Sequence, residues 1–184
     1  MDLGKQNILF FTRTMMLGGT ENVVLQLCEV FKPKVNKIVV CSCGGVNVEK
    51  LTEMGIRHYQ IPDISSKKDM FKICRTVKKI VEKEQITVIH SHHRMAAFYT
   101  EILFGSSIIK IANAHNTFFD KKLLTRFAYR NTKVIAVGKM VKKNLVDYFR
   151  IPEKQVSVIH NAVKPFDGDY ICLLYTSPSP RDRG

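Results

Sequence analysis

No stretch of this 184-residue chain is apolar for long enough to cross a bilayer. The longest strongly apolar runs, such as ILFF at Ile8–Phe11, fall far short of the roughly 20 residues a membrane helix needs. Asp2, Lys5 and Arg13 surround that first run, so it does not read as a signal peptide, and the expected location is the cytoplasm. Cysteine is sparse and odd in number, five in all, with no second ligand pair to complete a metal site. Cys41 and Cys43 alternate in a strand-like segment and read as core or near-core residues. Acidic residues are few: 16 Asp and Glu face 29 Lys and Arg, a net charge of +13. No signature of a nucleic-acid module accompanies that charge, so a nucleic-acid partner is not expected. What remains are phosphorylated ligands, an anionic membrane surface, or lysines that simply solvate helix faces. The sequence also lacks G-x-G-x-x-G and the lysine–hydroxyl pair of a P-loop, which removes two phosphate-binding fingerprints.

What is present is a soluble composition, 45% hydrophobic and 24% charged, and enough length for one domain with a sizeable core. Apolar runs suitable for strands occur at Asn7–Thr12, Lys37–Cys43, Arg57–Ile61, Thr87–Ser91, Ile108–Ala114, Val134–Val137 and Val156–His160. Helical spacing recurs between them, at Glu21–Phe31, Val48–Met54, Asp69–Lys83, Arg94–Phe104, Lys122–Arg130 and Met140–Phe149. The strand runs are continuously apolar rather than alternating, which marks strands covered on both faces. The fold class predicted is therefore α/β: a doubly wound, mostly parallel, Rossmann-like sheet of about seven strands with helices on both faces.

In such a sheet, ligands bind beyond the carboxyl ends of the strands, where strand order reverses. Gly18-Gly19 follow the first strand, His92-His93 the fourth, His115-Asn116 the fifth, Gly138 the sixth and His160-Asn161 the seventh. Two glycines ahead of a helix leave backbone N–H groups open to an anion or sugar; the plain alternative is a tight turn. His90 and His92 point the same way if both lie in the strand, and an H-x-H pair can ligate zinc. No suitable carboxylate stands beside them, so no metal is expected, and His90 reads as a satisfied, semi-buried residue. A neutral His115 can hydrogen-bond a sugar hydroxyl, or can merely bond backbone at a strand end.

Taken together, MLGGTENVVLQL, VIHSHHRMAAF, IANAHNTF and VIAVGKMVKKNLVDYFRIPEKQVSVIHNAV resemble the N-terminal half of a family 4 glycosyltransferase, a retaining group with the two-domain GT-B fold. The family usually has Asn-Gly where this chain has Asn161-Ala162, and often His-Asp where it has His115-Asn116. The resemblance implies sugar transfer from a nucleotide-sugar to a glycan or lipid-linked acceptor, as in bacterial envelope or exopolysaccharide synthesis. It implies His115 as the catalytic residue. Gly18, Gly19, His92, His93, Asn116, Gly138 and Asn161 would contact donor or acceptor. No cofactor or metal is implied, and the donor nucleotide would bind mainly to a second Rossmann domain. A sugar-nucleotide epimerase of the same fold and a non-catalytic basic binding domain are the alternatives. Peripheral contact with an anionic membrane, at its inner face, fits the charge.

The last segment, CLLYTSPSPRDRG from Cys172, has no structural period and resembles the in-frame translation of a sequencing-library adapter. The expected organisation is a Rossmann-like domain at 1–165, the start of an interdomain linker at 166–171, and a non-native tail at 172–184. The native reading would then end near Ile171 and the protein would continue beyond it.

Overall fold

A computed structural model describes residues 2–162. The expected linker at 166–171 and tail at 172–184 lie outside the described residues. The strands are β1 (Asn7–Phe11), β2 (Lys37–Ser42), β3 (Arg57–Gln60), β4 (Val88–Ser91), β5 (Ile109–Ala114), β6 (Lys133–Ala136) and β7 (Val156–Val158). They form one parallel sheet in the order β3-β2-β1-β4-β5-β6-β7. The helices are α1 (Gly19–Phe31), α2 (Val48–Glu53), α3 (Met70–Glu84), α4 (Arg94–Phe104), α5 (Lys122–Ala128) and α6 (Lys139–Lys143). The predicted strands and helices all appear in order, with ends shifted by a residue or two. The exception in detail is the last helix. Its reading as Met140–Phe149 divides into α6 and a π turn over Asn144–Tyr148.

The apolar runs explain the layers. Leu9, Phe10 and Phe11 are fully buried because β1 is central and covered on both faces. Each such side chain contributes on the order of 1.5–3 kcal/mol of burial. Leu9, Phe11, Val39, Cys41 and Ile89 pack on one face against Ile73 and Val77 of α3 and Ala96 and Tyr99 of α4. Farther along that face, Ala112, Ala114, Val134 and Ala136 meet Ala128, Val141 and Leu145. On the opposite face Ile8, Phe10, Ile38 and Val40 meet Val24 and Cys28 of α1 and Leu51 of α2.

Helical cover is uneven, however. Over β5 to β7 the second face carries no helix among the described residues. Ile109, Ile111, Ile135 and Ile159 there line an apolar groove of about 440 Å³ against the flank of α1.

Three buried carboxylate or amide groups are satisfied by partners distant in sequence. Glu84 ends the inward stripe of α3 and accepts from Lys37, Arg57 and Tyr59. These partners hold its carboxyl down at about 2, the Tyr59 hydrogen bond foremost. Glu101 of α4 is buried against Lys110 of β5, the ion pair being completed by Asn131. Asn7 bonds the backbone at Glu84 and Gln85, tying the start of β1 to the end of α3.

Candidate functional site

The strand order reverses direction between β1 and β4, and the loops after β1, β4 and β5 open there into a polar cleft of about 220 Å³. The cleft is lined by Thr12, Arg13, Thr14 and Glu21 from the β1 side, His92, His93 and Arg94 from β4, and His115, Asn116 and Phe118 from β5. This is the location expected for a ligand in an open parallel sheet.

Each loop is held from outside the cleft. The β1–α1 loop runs beside the β2–α2 loop: Met15 N donates to the Gly44 carbonyl at 2.9 Å and Asn47 N to the Met15 carbonyl at 2.8 Å. The Asn47 amide adds a bond to the Met16 carbonyl at 2.6 Å. Gly45 has φ +147, and a Cβ there would run into the Met15 backbone, so only glycine fits this seam. The β5–α5 loop is fixed by Asn144, whose side chain accepts from Phe118 N at 3.1 Å and donates to the Phe118 carbonyl at 2.9 Å. Asn144 opens the π turn, a distortion frequent at functional sites.

The histidines form a ladder from the sheet interior to the cleft. His90 is buried and its Nε2 lies 2.9 Å from Asn113 Oδ1. Its ring stacks at 4.4 Å on that of His92, and His92 Nδ1 lies 3.3 Å from Nε2 of His115. His92 is only 2% exposed, and His115 is half-buried at the cleft wall. Burial lowers the His90 pKa to about 4 and drives that of His92 well below the ordinary value. Burial also lowers His115, with the Glu21 charge acting in the opposite sense. All three rings are neutral at pH 7 and can hydrogen-bond without carrying charge.

His93 points elsewhere. It caps α4, with Nδ1 accepting from Met95 N at 3.1 Å. Burial and the neighbouring Arg13 and Arg94 hold it at about 4.

The sequence-predicted residues therefore divide. His92, His93, His115 and Asn116 line the cleft. Gly18 and Gly19 adjoin it without lining it. A Cβ on Gly18 would strike the Glu21 carboxylate, whereas Gly19 faces open space. Gly138 caps α6 away from the cleft, and Asn161 lies at the apolar groove.

Arg13, Glu21, Arg94 and Asn144 were not singled out from the sequence. Arg13 pairs with Asp63 at 2.7 Å and Arg94 with Asp120 at 2.8 Å. Arg13 holds Asp63 at about 2. Glu21, in the first turn of α1, accepts from the Thr14 hydroxyl. Adjacency to Gly18-Gly19 and to His93 was the available signal for Glu21 and Arg94. Asn144 carried none. Among the described residues no three His, Cys, Asp or Glu side chains converge as metal ligands.

An open parallel sheet with a polar cleft at its switch point, walled by neutral histidines and paired arginines, defines a Rossmann-like domain built to hold a polar ligand. The chain belongs to Glycosyltransferase Family 4, whose family model matches residues 17–165. It is 26% identical over 170 residues to the human catalogue's phosphatidylinositol N-acetylglucosaminyltransferase component of the same kind, a Homo sapiens protein. That match covers 82% of this chain and 35% of the human protein, so the chain spans about a third of that relative's length. In fold it is similar to a glycosyltransferase from Rickettsia africae, with a TM-score of 0.73 and 16% identity over 86% of this chain and 44% of that one. It is also similar to Anabaena HepE, solved with UDP, with a TM-score of 0.68 and 16% identity over 86% and 44% of the two chains. A UDP-GlcNAc 2-epimerase from Methanocaldococcus jannaschii shares the fold at a TM-score of 0.58 and 13% identity, over 83% and 45%.

Proposed function

We propose that this chain is the acceptor-side half of a glycosyltransferase. The whole protein would move a sugar from a nucleotide-sugar to a glycan or lipid-linked acceptor with retention, in the synthesis of an envelope or extracellular polysaccharide. The observation that carries this reading is family membership over residues 17–165 joined to the cleft that places His115 at the switch point. The UDP bound by the similar Anabaena protein supports a nucleotide-sugar donor.

In this reading the cleft works by positioning and by electrostatics. Glycosidic-bond hydrolases usually need two carboxylates astride the bond. Here, among the described residues, Glu21 is the lone acidic residue of the cleft lining and is engaged by Thr14. His115 is held neutral and can donate a hydrogen bond that strengthens as the sugar–phosphate bond breaks. Asn116 adds a second polar contact, and Arg13 and Arg94 orient anionic groups. The donor nucleotide is contacted mainly by residues beyond this chain.

The rim of the cleft suggests how an acceptor reaches it. Leu17, Phe119, Leu123 and Met140 are each more than 70% exposed. They stand beside Lys121, Lys122, Lys139 and Lys143 on the loops and helix starts at the carboxyl end of the sheet. Apolar tips among lysines suit an anionic membrane surface, so the protein would work as a peripheral enzyme at the inner face of a membrane.

The test is donor turnover by the whole protein with nucleotide-sugars, with and without a lipid-linked or glycan acceptor. Acceptor-dependent sugar transfer is expected. Epimerisation of the donor without acceptor would replace this reading with that of an epimerase. No donor turnover, with binding of polyanions only, would replace it with that of a basic binding domain.

A further inference from the structure

His92 lies behind His115 rather than at the substrate. It is 2% exposed, its Nδ1 is 3.3 Å from His115 Nε2, and its Nε2 is buried without a hydrogen-bond partner. A neutral imidazole has one donor nitrogen and one acceptor nitrogen, so the proton positions of the two rings are locked together. Either His92 Nδ1–H donates to His115 Nε2, leaving a bare acceptor at the orphan His92 Nε2, or His115 Nε2–H donates to His92, leaving an orphan N–H.

Two observations choose between these arrangements. Buried N–H groups without acceptors are rarer than acceptors left incomplete, which favours a bare His92 Nε2. Glu21, on the same cleft, acts on His115 through its negative charge, and a carboxylate there favours a proton on the ring nitrogen that His92 does not engage. Among the described residues, no other protein group hydrogen-bonds the His115 ring.

We propose that His92 is a positioning residue: its Nδ1–H donates to His115 Nε2 and fixes the His115 proton on Nδ1, the nitrogen left to serve the cleft. His115 is then a preset donor, unable to turn an acceptor nitrogen to the ligand without breaking its bond to His92. For transfer this means that the substrate group at His115 is a hydrogen-bond acceptor, such as a sugar or phosphate oxygen. That last step rests on the proposed function; the tautomer itself does not.

The experiment reads the ring nitrogens of His115 by long-range proton–nitrogen correlation in the uniformly nitrogen-15-labelled chain at neutral pH. The expected wild-type spectrum shows a protonated Nδ1 and a bare Nε2 on His115. His92→Asn keeps an amide donor near the place of Nδ1 and is expected to preserve that pattern. His92→Leu removes the donor, and the His115 proton is expected to move to Nε2 or to exchange between both nitrogens. A wild-type His115 protonated at Nε2 would overturn the proposal, as would a folded His92→Leu variant with an unchanged tautomer. If His92→Leu fails to fold, the wild-type and His92→Asn spectra still decide. Because no substrate is present, failure here is distinct from failure of the transferase reading, which would leave these spectra as expected.

Discussion

His90 and His115 belong to one ladder of rings, yet their depth gives them different consequences. His90→Ala removes the bond to Asn113 and opens a cavity inside the sheet, so a loss of roughly 2–4 kcal/mol in stability is expected from thermal or denaturant unfolding. His115→Ala, at the cleft wall, should leave the melting temperature near its original value. In the whole protein it is expected to lower kcat by about 10²-fold or more. A collapse of melting temperature with near-normal kcat in His115→Ala would make that residue structural. The ladder also sets an acid response. His90 and His93 have pKa values depressed to about 4 in the folded state, and burial depresses His92 further. The unfolded chain binds these protons first, so stability is full above about pH 6.5 and falls as the pH drops toward 4. Melting curves across that range check it; in His90→Asn the fall should be shallower. The pairing of His90 with His92 was legible in the sequence because alternate strand residues share a face. The burial of His92 was not, because the ring in front of it comes from a strand 23 residues away.

At the scale of elements, the strands and helices were readable because continuous apolar runs alternate with helical spacing and the turns carry glycine or proline. The supports of the cleft were not readable. Gly45 looks like an ordinary loop glycine, yet it permits the contact with Met15 that shapes the β1–α1 loop. Gly45→Ala is expected to cost roughly 2–4 kcal/mol, from the positive φ and from displacement of the Met15 backbone. Gly19→Ala, facing open space, is expected to change stability by less than about 1 kcal/mol, while any ligand contact above it is lost. Chemical denaturation of the two variants side by side makes the comparison. Asn144 reads as one more polar helix residue, since nothing local shows that its amide reaches across 26 residues to the Phe118 backbone. Asn144→Ala should speed hydrogen exchange in the loop that carries His115 and Asn116, with β1 and β2 unchanged.

For the whole molecule, composition anticipated a cationic protein, and the fold concentrates apolar tips among lysines at the cleft rim. Cosedimentation with vesicles of anionic phospholipid is expected to be strong at low salt and to weaken as salt rises. Each lysine near the surface is worth about 1 kcal/mol, screened over a Debye length. Phe119→Ser with Leu123→Ser should reduce binding at both salt levels; equal binding to neutral vesicles would contradict the lysine contribution. The bare face over β5 to β7 was not legible, because a strand facing a helix and a strand facing an open groove carry the same apolar residues. Predicting helices on both faces identified the architecture and missed where the cover stops.

The adjacency of β1 and β4 bears on the order in which the chain assembles. Strands β1, β2 and β3 follow one another through single crossovers, but β1 meets β4 only across a separation of about 80 residues. During synthesis one edge of β1 therefore waits, with its backbone unpaired, while the intervening chain emerges. When that seam closes, His92 N reaches the Phe11 carbonyl, and the same closure brings the two walls of the cleft together. The cleft cannot exist in a partly folded chain, so capture of a ligand would report that the slowest long-range pairing of the sheet has been made.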